Sequence, residues 1–181
     1  MNTISARRLE ASDLLLRYQW LNDPSVHGQM MVSPPIGLAE TQQWFSRTLL
    51  NESRRDFAFT LDGALPKEVV AMGGLTDILP RHRRAELYIF VRPGLTGRGI
   101  GSRAMVWLCE YGFSELDLHR IYLYTTERND AARRFYARLG FQDEGTLRGH
   151  AFHQGRFIDR HVQGVLRSEW RKPREERQVP G

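Results

Sequence analysis

Apolar positions along the chain recur with two different periods, and the switches between them divide it into elements. Thr3 to Leu9 reads as a short strand, and from Ser12 or Asp13 the run LLLRYQWL takes helical spacing. Asn22-Asp23-Pro24 closes that helix, since proline cannot continue it and disfavours helical geometry in the residue before it. Val26 to Ile36 then reads as a loop, running into the rigid stretch Ser33-Pro34-Pro35-Ile36-Gly37. Leu38, Phe45 and Leu49, with Trp44 beside them, mark a second amphipathic helix. Strands follow at Phe57 to Leu61, Glu68 to Leu75 and Ala85 to Val91, with a turn beginning at Asp62-Gly63. In the last of these strands Leu87, Ile89 and Val91 share one face, and Glu86, Tyr88 and Phe90 share the other. Arg92-Pro93-Gly94 ends it.

Beyond that break, Ile100, Ala104, Leu108 and Tyr111 set a helix from Gly99 to Leu116. A strand at Arg120 to Thr126, a helix at Asp130 to Leu139 and a strand pair at Phe141 to Leu147 and Phe157 to Leu166 complete the pattern. Gly140 stands where a helix-ending left-handed residue is usual. Helices both precede and interrupt the strands, so the class is α+β or mixed α/β around one sheet. A single domain over residues 1–168 and a flexible tail over 169–181, which carries Pro173 and Pro180, are expected.

Composition changes this picture little. No run approaches the ~20 apolar residues of a membrane span, and the first twenty residues hold no signal-peptide core, so a cytoplasmic location is expected. The lone Cys109 sits in WLCEYGF inside a helical pattern and reads as a packed core thiol rather than a nucleophile. A net charge of +5 allows an anionic partner, either nucleic acid or a phosphorylated cofactor. The arginines are scattered, however, with no aromatic-interleaved basic stripe, which favours a solvated surface over a nucleic-acid interface.

Two motifs carry the chemistry. Thr96-Gly97-Arg98-Gly99-Ile100-Gly101-Ser102 lies between a strand and a helix. Its alternate glycines let backbone N–H groups converge on one anion, and the next helix adds unpaired donors and its positive dipole end. No Lys-Ser/Thr pair follows Gly101, so this is not a nucleotide-hydrolase P-loop, and the glycine spacing is not the dinucleotide fingerprint. The second motif is the helix opened by Asn129. There Asn129, Ala132, Arg133 and Tyr136 fall on one face, offering an amide, a gap, a cation and a phenol.

The order of strand, break, glycine loop, helix, strand and Asn-x-x-Ala-x-x-x-Tyr ending in Leu-Gly-Phe resembles the GNAT superfamily of acyl-CoA N-acyltransferases. The likeness runs from about Phe57 to Leu166. It implies a single domain whose central, mostly antiparallel mixed sheet splays between two strands, with helices on both faces. It further implies acetyl-CoA as donor, its pyrophosphate held by Thr96, Gly97, Arg98, Gly99, Ile100, Gly101 and Ser102. Ile89, Phe90 and Val91 would meet the pantetheine and acetyl group through their backbone, while Asn129, Ala132, Arg133 and Tyr136 line the other side. Tyr136 takes the place of the tyrosine that protonates the departing thiolate. Many members carry Gln or Arg where Thr96 stands, a difference expected to weaken CoA binding modestly at most. His82 to Glu86, Leu118 to Leu123, Gly145 to Leu147 and His153 to Asp159 are similar to bacterial polyamine acetyltransferases and to ribosomal-protein N-terminal acetyltransferases.

The resemblance implies direct attack of an amine on the thioester. A primary ammonium must first lose a proton, which calls for a base or a water path. Glu86 is the candidate base and substrate contact, with a surface carboxylate paired to Arg83 or Arg84 as the alternative reading. Arg98, Arg103, Arg133 and Arg134 flank the expected phosphate site. The acceptor is open among an amino sugar, an antibiotic amine, a polyamine and a protein N-terminus. A non-catalytic acyl-CoA-binding module is a further alternative. Val26 to Ile36 holds no carboxylate to attract a polycation, and its His27 is a candidate substrate contact. A homodimer through the C-terminal strand pair is compatible with the resemblance.

Overall fold

The computed structural model describes residues 3–62, 68–126, 129–153 and 155–171. Seven strands form one sheet: β1 (Ile4–Arg8), β2 (Arg55–Leu61), β3 (Val69–Leu79), β4 (Arg84–Val91), β5 (Arg120–Thr126), β6 (Gln142–His153) and β7 (Arg156–Leu166). Their spatial order is β1-β2-β3-β4-β5-β7-β6, and every neighbouring pair is antiparallel except β4 with β5. A parallel pair needs a crossover, which α4 (Ile100–Ser114) supplies.

The helices cover both faces. On one side α4 sets Met105, Leu108, Cys109 and Phe113 against Phe59, Leu75, Leu87 and Ile121. The approach is close: a Cβ on Gly112 would lie 2.8 Å from Ile121 Cδ1 and 3.1 Å from Leu75 Cδ1. α5 (Asp130–Arg138) lies on the same side, where Phe135, Tyr136 and Leu139 join this core. On the opposite side α1 (Leu14–Leu21), α2 (Pro24–Met30) and α3 (Leu38–Leu49) bury Trp20, Leu21 and Val26 against Ala58, Met72 and Phe90. Central strands covered on both faces carry near-continuous apolar runs, as VVAMGGL does in β3.

Two differences from the sequence reading have local causes. The stretch from Val26 is helical up to Met30 rather than a loop, because the Asp23 side chain accepts the Ser25 N–H and Pro24 fills the first helical position. Pro24 therefore starts one helix while ending the other. Residue 63 of the expected turn and residue 154 of the expected hairpin lie outside the described residues, as do 172–181. Trp170, assigned to the tail, packs on Phe113 at 6.0 Å between ring centres and donates its indole N–H to Glu110 at 2.5 Å.

The feature that positions the site is where the β4–β5 pairing stops. Only Arg84, Ala85 and Glu86 pair with Arg120, Ile121 and Tyr122. Beyond Glu86, β4 stays bonded to β3 as far as Val91 and β5 stays bonded to β7 as far as Thr126. The sheet therefore opens as a V whose arms are each held by an outer partner.

Candidate active site

The V holds a cleft lined by β4, β5, α5, β7 and the end of α2. Side chains alternate across a sheet, so the lining divides between its two faces. Leu87, Ile89, Leu123, Thr125, Asn129 and Tyr136 belong to the side of α4 and α5. Glu86, Tyr88, Tyr124 and Arg160 belong to the side of α1 to α3, where Met30 and Met31 close the end. The cleft thus passes through the sheet.

The α4 side is built for an extended anionic ligand. β4 runs into Gly94, Gly97 and Gly99, which adopt φ of +80°, +79° and +71°. A side chain costs roughly 1–2 kcal/mol in that left-handed region. Gly99 caps α4, and Arg103 N–H reaches back to its carbonyl at 3.2 Å, so the N–H groups of Ile100, Gly101 and Ser102 have no partner in a preceding turn. A Cβ at Gly97 would meet nothing within 4 Å, which leaves the loop's surface open to a ligand. These are donors at the positive end of a fifteen-residue helix, and they fit a pyrophosphate. Of the four flanking arginines, Arg133 is engaged by Asp143 at 3.1 Å and Asp130 at 3.6 Å, and Arg103 lies 3.5 Å from the Arg98 carbonyl. Arg98 and Arg134 are exposed.

Asn129 does two things. Its carbonyl oxygen accepts the Ala132 N–H at 3.1 Å, capping α5, and its side chain also lines the cleft. Tyr136, one helical repeat on, is half-buried beside Phe135 and Phe141. Burial pushes its phenol up to about 12, so it is protonated at neutral pH. Ile89 lines the cleft, whereas the Phe90 side chain turns away into the core with Trp20 and Val91 packs beside the α4 core.

On the other side, Glu86 stands at the last paired residue before the strands part. Burial pushes its carboxyl above the ordinary range, Arg160 draws it down, and Asp77 pushes it up. Arg83 and Arg84 are committed elsewhere, Arg83 to Asp117 at 2.7 Å and Arg84 to Asp77 at 3.7 Å, so Glu86 is not a surface ion pair with either. Tyr122 donates to Asp77 at 2.5 Å. Tyr88, deeper in, donates to Asp56, which is paired with Arg54 at 2.8 Å. His27 lies on α2 and is not among the residues lining the cleft. Cys109 is fully buried, and burial raises its thiol, which leaves it inert.

Sequence reasoning missed Tyr124, Arg160, Met30 and Met31. Alternation within RIYLYTT puts Tyr122 and Tyr124 on one face and could have flagged that pair. Arg160 comes from β7, and only the register Thr126↔Arg160 brings it to the cleft.

A through-sheet cleft with a carboxylate on one side, and beside it a helix N-terminus whose free N–H groups fit a pyrophosphate, is compatible with an acyl-CoA-dependent transferase. The acetyltransferase (GNAT) domain model matches residues 4–142, and the chain belongs to that family. A spermidine N(1)-acetyltransferase of Escherichia coli (strain K12) is 31% identical over 156 residues, covering 86% of this chain and 82% of that protein. One from Vibrio cholerae is 26% identical over 167 residues, covering 92% and 95%. The crystal structure of a Vibrio cholerae spermidine N-acetyltransferase in complex with CoA and spermine matches with a TM-score of 0.86 at 26% identity, over 92% of this chain and 97% of that one. The protein is an acetyl-CoA-dependent N-acetyltransferase. Among the described residues, no helix is long and apolar enough to cross a membrane.

Proposed function

We propose that this enzyme acetylates a primary amine in a ternary complex, with Glu86 and Tyr136 serving the two proton transfers from opposite faces of the sheet. The observation that carries this reading is that both groups line one cleft at the point where β4 and β5 part. Glu86 takes a proton from the incoming ammonium, and the neutral nitrogen attacks the thioester carbonyl. As the C–N bond forms, a β4 backbone N–H faces the developing oxyanion. The C–S bond then breaks, Tyr136 gives its proton to the sulfur, and the nitrogen, left cationic by the attack, releases its second proton to water, from which the Tyr136 phenolate is reprotonated. A phenol near 12 is a weak acid in water, but the same burial raises a thiol, as at Cys109, and that narrows the gap between donor and leaving group.

A second reading, transfer to spermidine, is favoured by the similarity to spermidine N(1)-acetyltransferases. A cytoplasmic enzyme suits this reaction. A homodimer joined through β6 and β7 is supported by Phe152 and Phe157, which pair at 5.3 Å between ring centres and are both exposed. The test is release of free thiol from acetyl-CoA with polyamines, amino sugars, aminoglycosides and short peptides offered in turn. Turnover with small amines is expected. Turnover confined to peptides would identify an N-terminal acetyltransferase, and tight acetyl-CoA binding without turnover would identify a binding module.

A further inference from the structure

The acceptor side of the cleft holds a cation that no carboxylate of the described residues closes on. Arg160 enters from β7 and lies with its guanidinium 4.3 Å from the centre of the Tyr124 ring. Tyr124 in turn stacks on His150 at 5.8 Å, so the guanidinium rests on a supported aromatic plane. Its Nε is buried without a hydrogen-bond partner, and its side chain forms no ion pair among the described residues. Burial works against its charge, while Glu86 and Tyr124 favour it. Glu86 is thus near enough to be felt, yet the two do not close on each other. A buried polar donor left without a partner costs free energy, which an incoming acceptor group would recover.

The charges around this wall sharpen the point. Asp77 is already met by Arg84 at 3.7 Å and by the Tyr122 hydroxyl at 2.5 Å. Of the described residues lining the cleft, Glu86 is the one carboxylate and Arg160 the one cation. A wall with one charge of each sign complements a zwitterion. It opposes a polycation, because any second ammonium beyond Glu86 faces Arg160. A guanidinium presents its donors as a fork, which suits the two oxygens of a carboxylate.

We propose that the acceptor is a primary amine that also carries a carboxylate, with its nitrogen at Glu86 and its carboxylate at Arg160. This rests on the acetyl-transfer reading above and narrows its substrate class to amino acids and related amino carboxylates.

Matched pairs that differ only in the carboxylate test it: ornithine against putrescine and lysine against cadaverine, each followed by thiol release from acetyl-CoA. The amino acid of each pair is expected to have kcat/KM at least about tenfold higher, the worth of one charge-assisted contact. Arg160→Gln is expected to bring that ratio close to one, chiefly by raising KM for the amino acid. Stabilisation of the variant by acetyl-CoA in a thermal shift shows that it is folded. Wild-type enzyme that turns over putrescine or cadaverine as well as the amino acids would overturn the proposal and leave acetyl transfer standing. So would an Arg160→Gln enzyme that keeps the ratio. No thiol release with any amine of the panel would overturn both.

Discussion

The two sides of the cleft are made from different materials. The donor side proposed above is mostly backbone: left-handed glycines at 97 and 99 and the free N–H groups of α4, which lie next to the cleft rather than in its lining, and the capped start of α5, which is part of that lining. The acceptor side is mostly side chains, drawn from α2, β4, β5 and β7. A backbone site tolerates variation in the residues that carry it, so it serves one invariant ligand. A side-chain site changes with each substitution, so it is where members of one family come to differ in substrate. Perturbing each side should therefore have separable effects.

The largest effect is expected where the two sides meet. Tyr136→Phe keeps the ring that packs between Phe135 and Phe141 and removes only the hydroxyl. Loss of a general acid costs about 10²–10⁴-fold in rate. We expect kcat to fall within that range while the affinity for acetyl-CoA, measured by calorimetry, changes less than about threefold. Turnover left within a few fold of wild type would remove Tyr136 from the reaction.

That contrast also explains how far the sequence could be read. The glycine loop and the Asn129–Tyr136 face are local patterns, complete within a single turn or helix, and both form in the structure: Asn129 and Tyr136 line the cleft, while the loop caps α4 outside that lining. The strands are legible for the same reason, since each carries its own alternation. The acceptor side depends on long-range register. Arg160 reaches the cleft because β7 pairs with β5 in one phase, and a shift by one residue would turn it to the other face. Met30 and Met31 reach it because Asp23 caps a helix immediately after Pro24 was expected only to end one. His27, singled out from the same segment, sits one helical turn before Met30 and is left off the lining.

Glu86→Gln is the next perturbation in size and bears on the acceptor side alone. As a base Glu86 works only when ionised, so the rate falls as pH drops through its pKa. Burial, assisted by Asp77 and opposed by Arg160, holds that pKa above the ordinary carboxylate range. The acid limb of kcat/KM, which reports the free enzyme, should therefore lie above about 4.3, the usual Glu value. Glu86→Gln should lower kcat by about 10²-fold and remove the limb, with acetyl-CoA affinity unchanged. A limb that survives the substitution would assign it to another group and return Glu86 to a purely binding role.

The smallest effect isolates the donor side from general backbone strain. Gly99 and Gly155 both adopt left-handed φ, +71° and +81°, and a Cβ at Gly155 would touch nothing within 4 Å. Alanine at either position forces an L-residue into the same region, at about 1–2 kcal/mol. Both variants should lose a comparable few degrees in Tm. Only Gly99 sits at the N-terminus of α4, where its conformation aims the helix's unpaired N–H groups. Gly99→Ala should therefore also misaim those groups and raise KM for acetyl-CoA by roughly tenfold, about 1.4 kcal/mol of lost contact, and leave KM for the amine alone, whereas Gly155→Ala should move neither. Equal effects on acetyl-CoA from the two variants would mean that the loop's left-handed geometry is a folding requirement rather than part of the donor site. A raised amine KM in Gly99→Ala would mean that the two sides of the V are mechanically coupled across the parting strands.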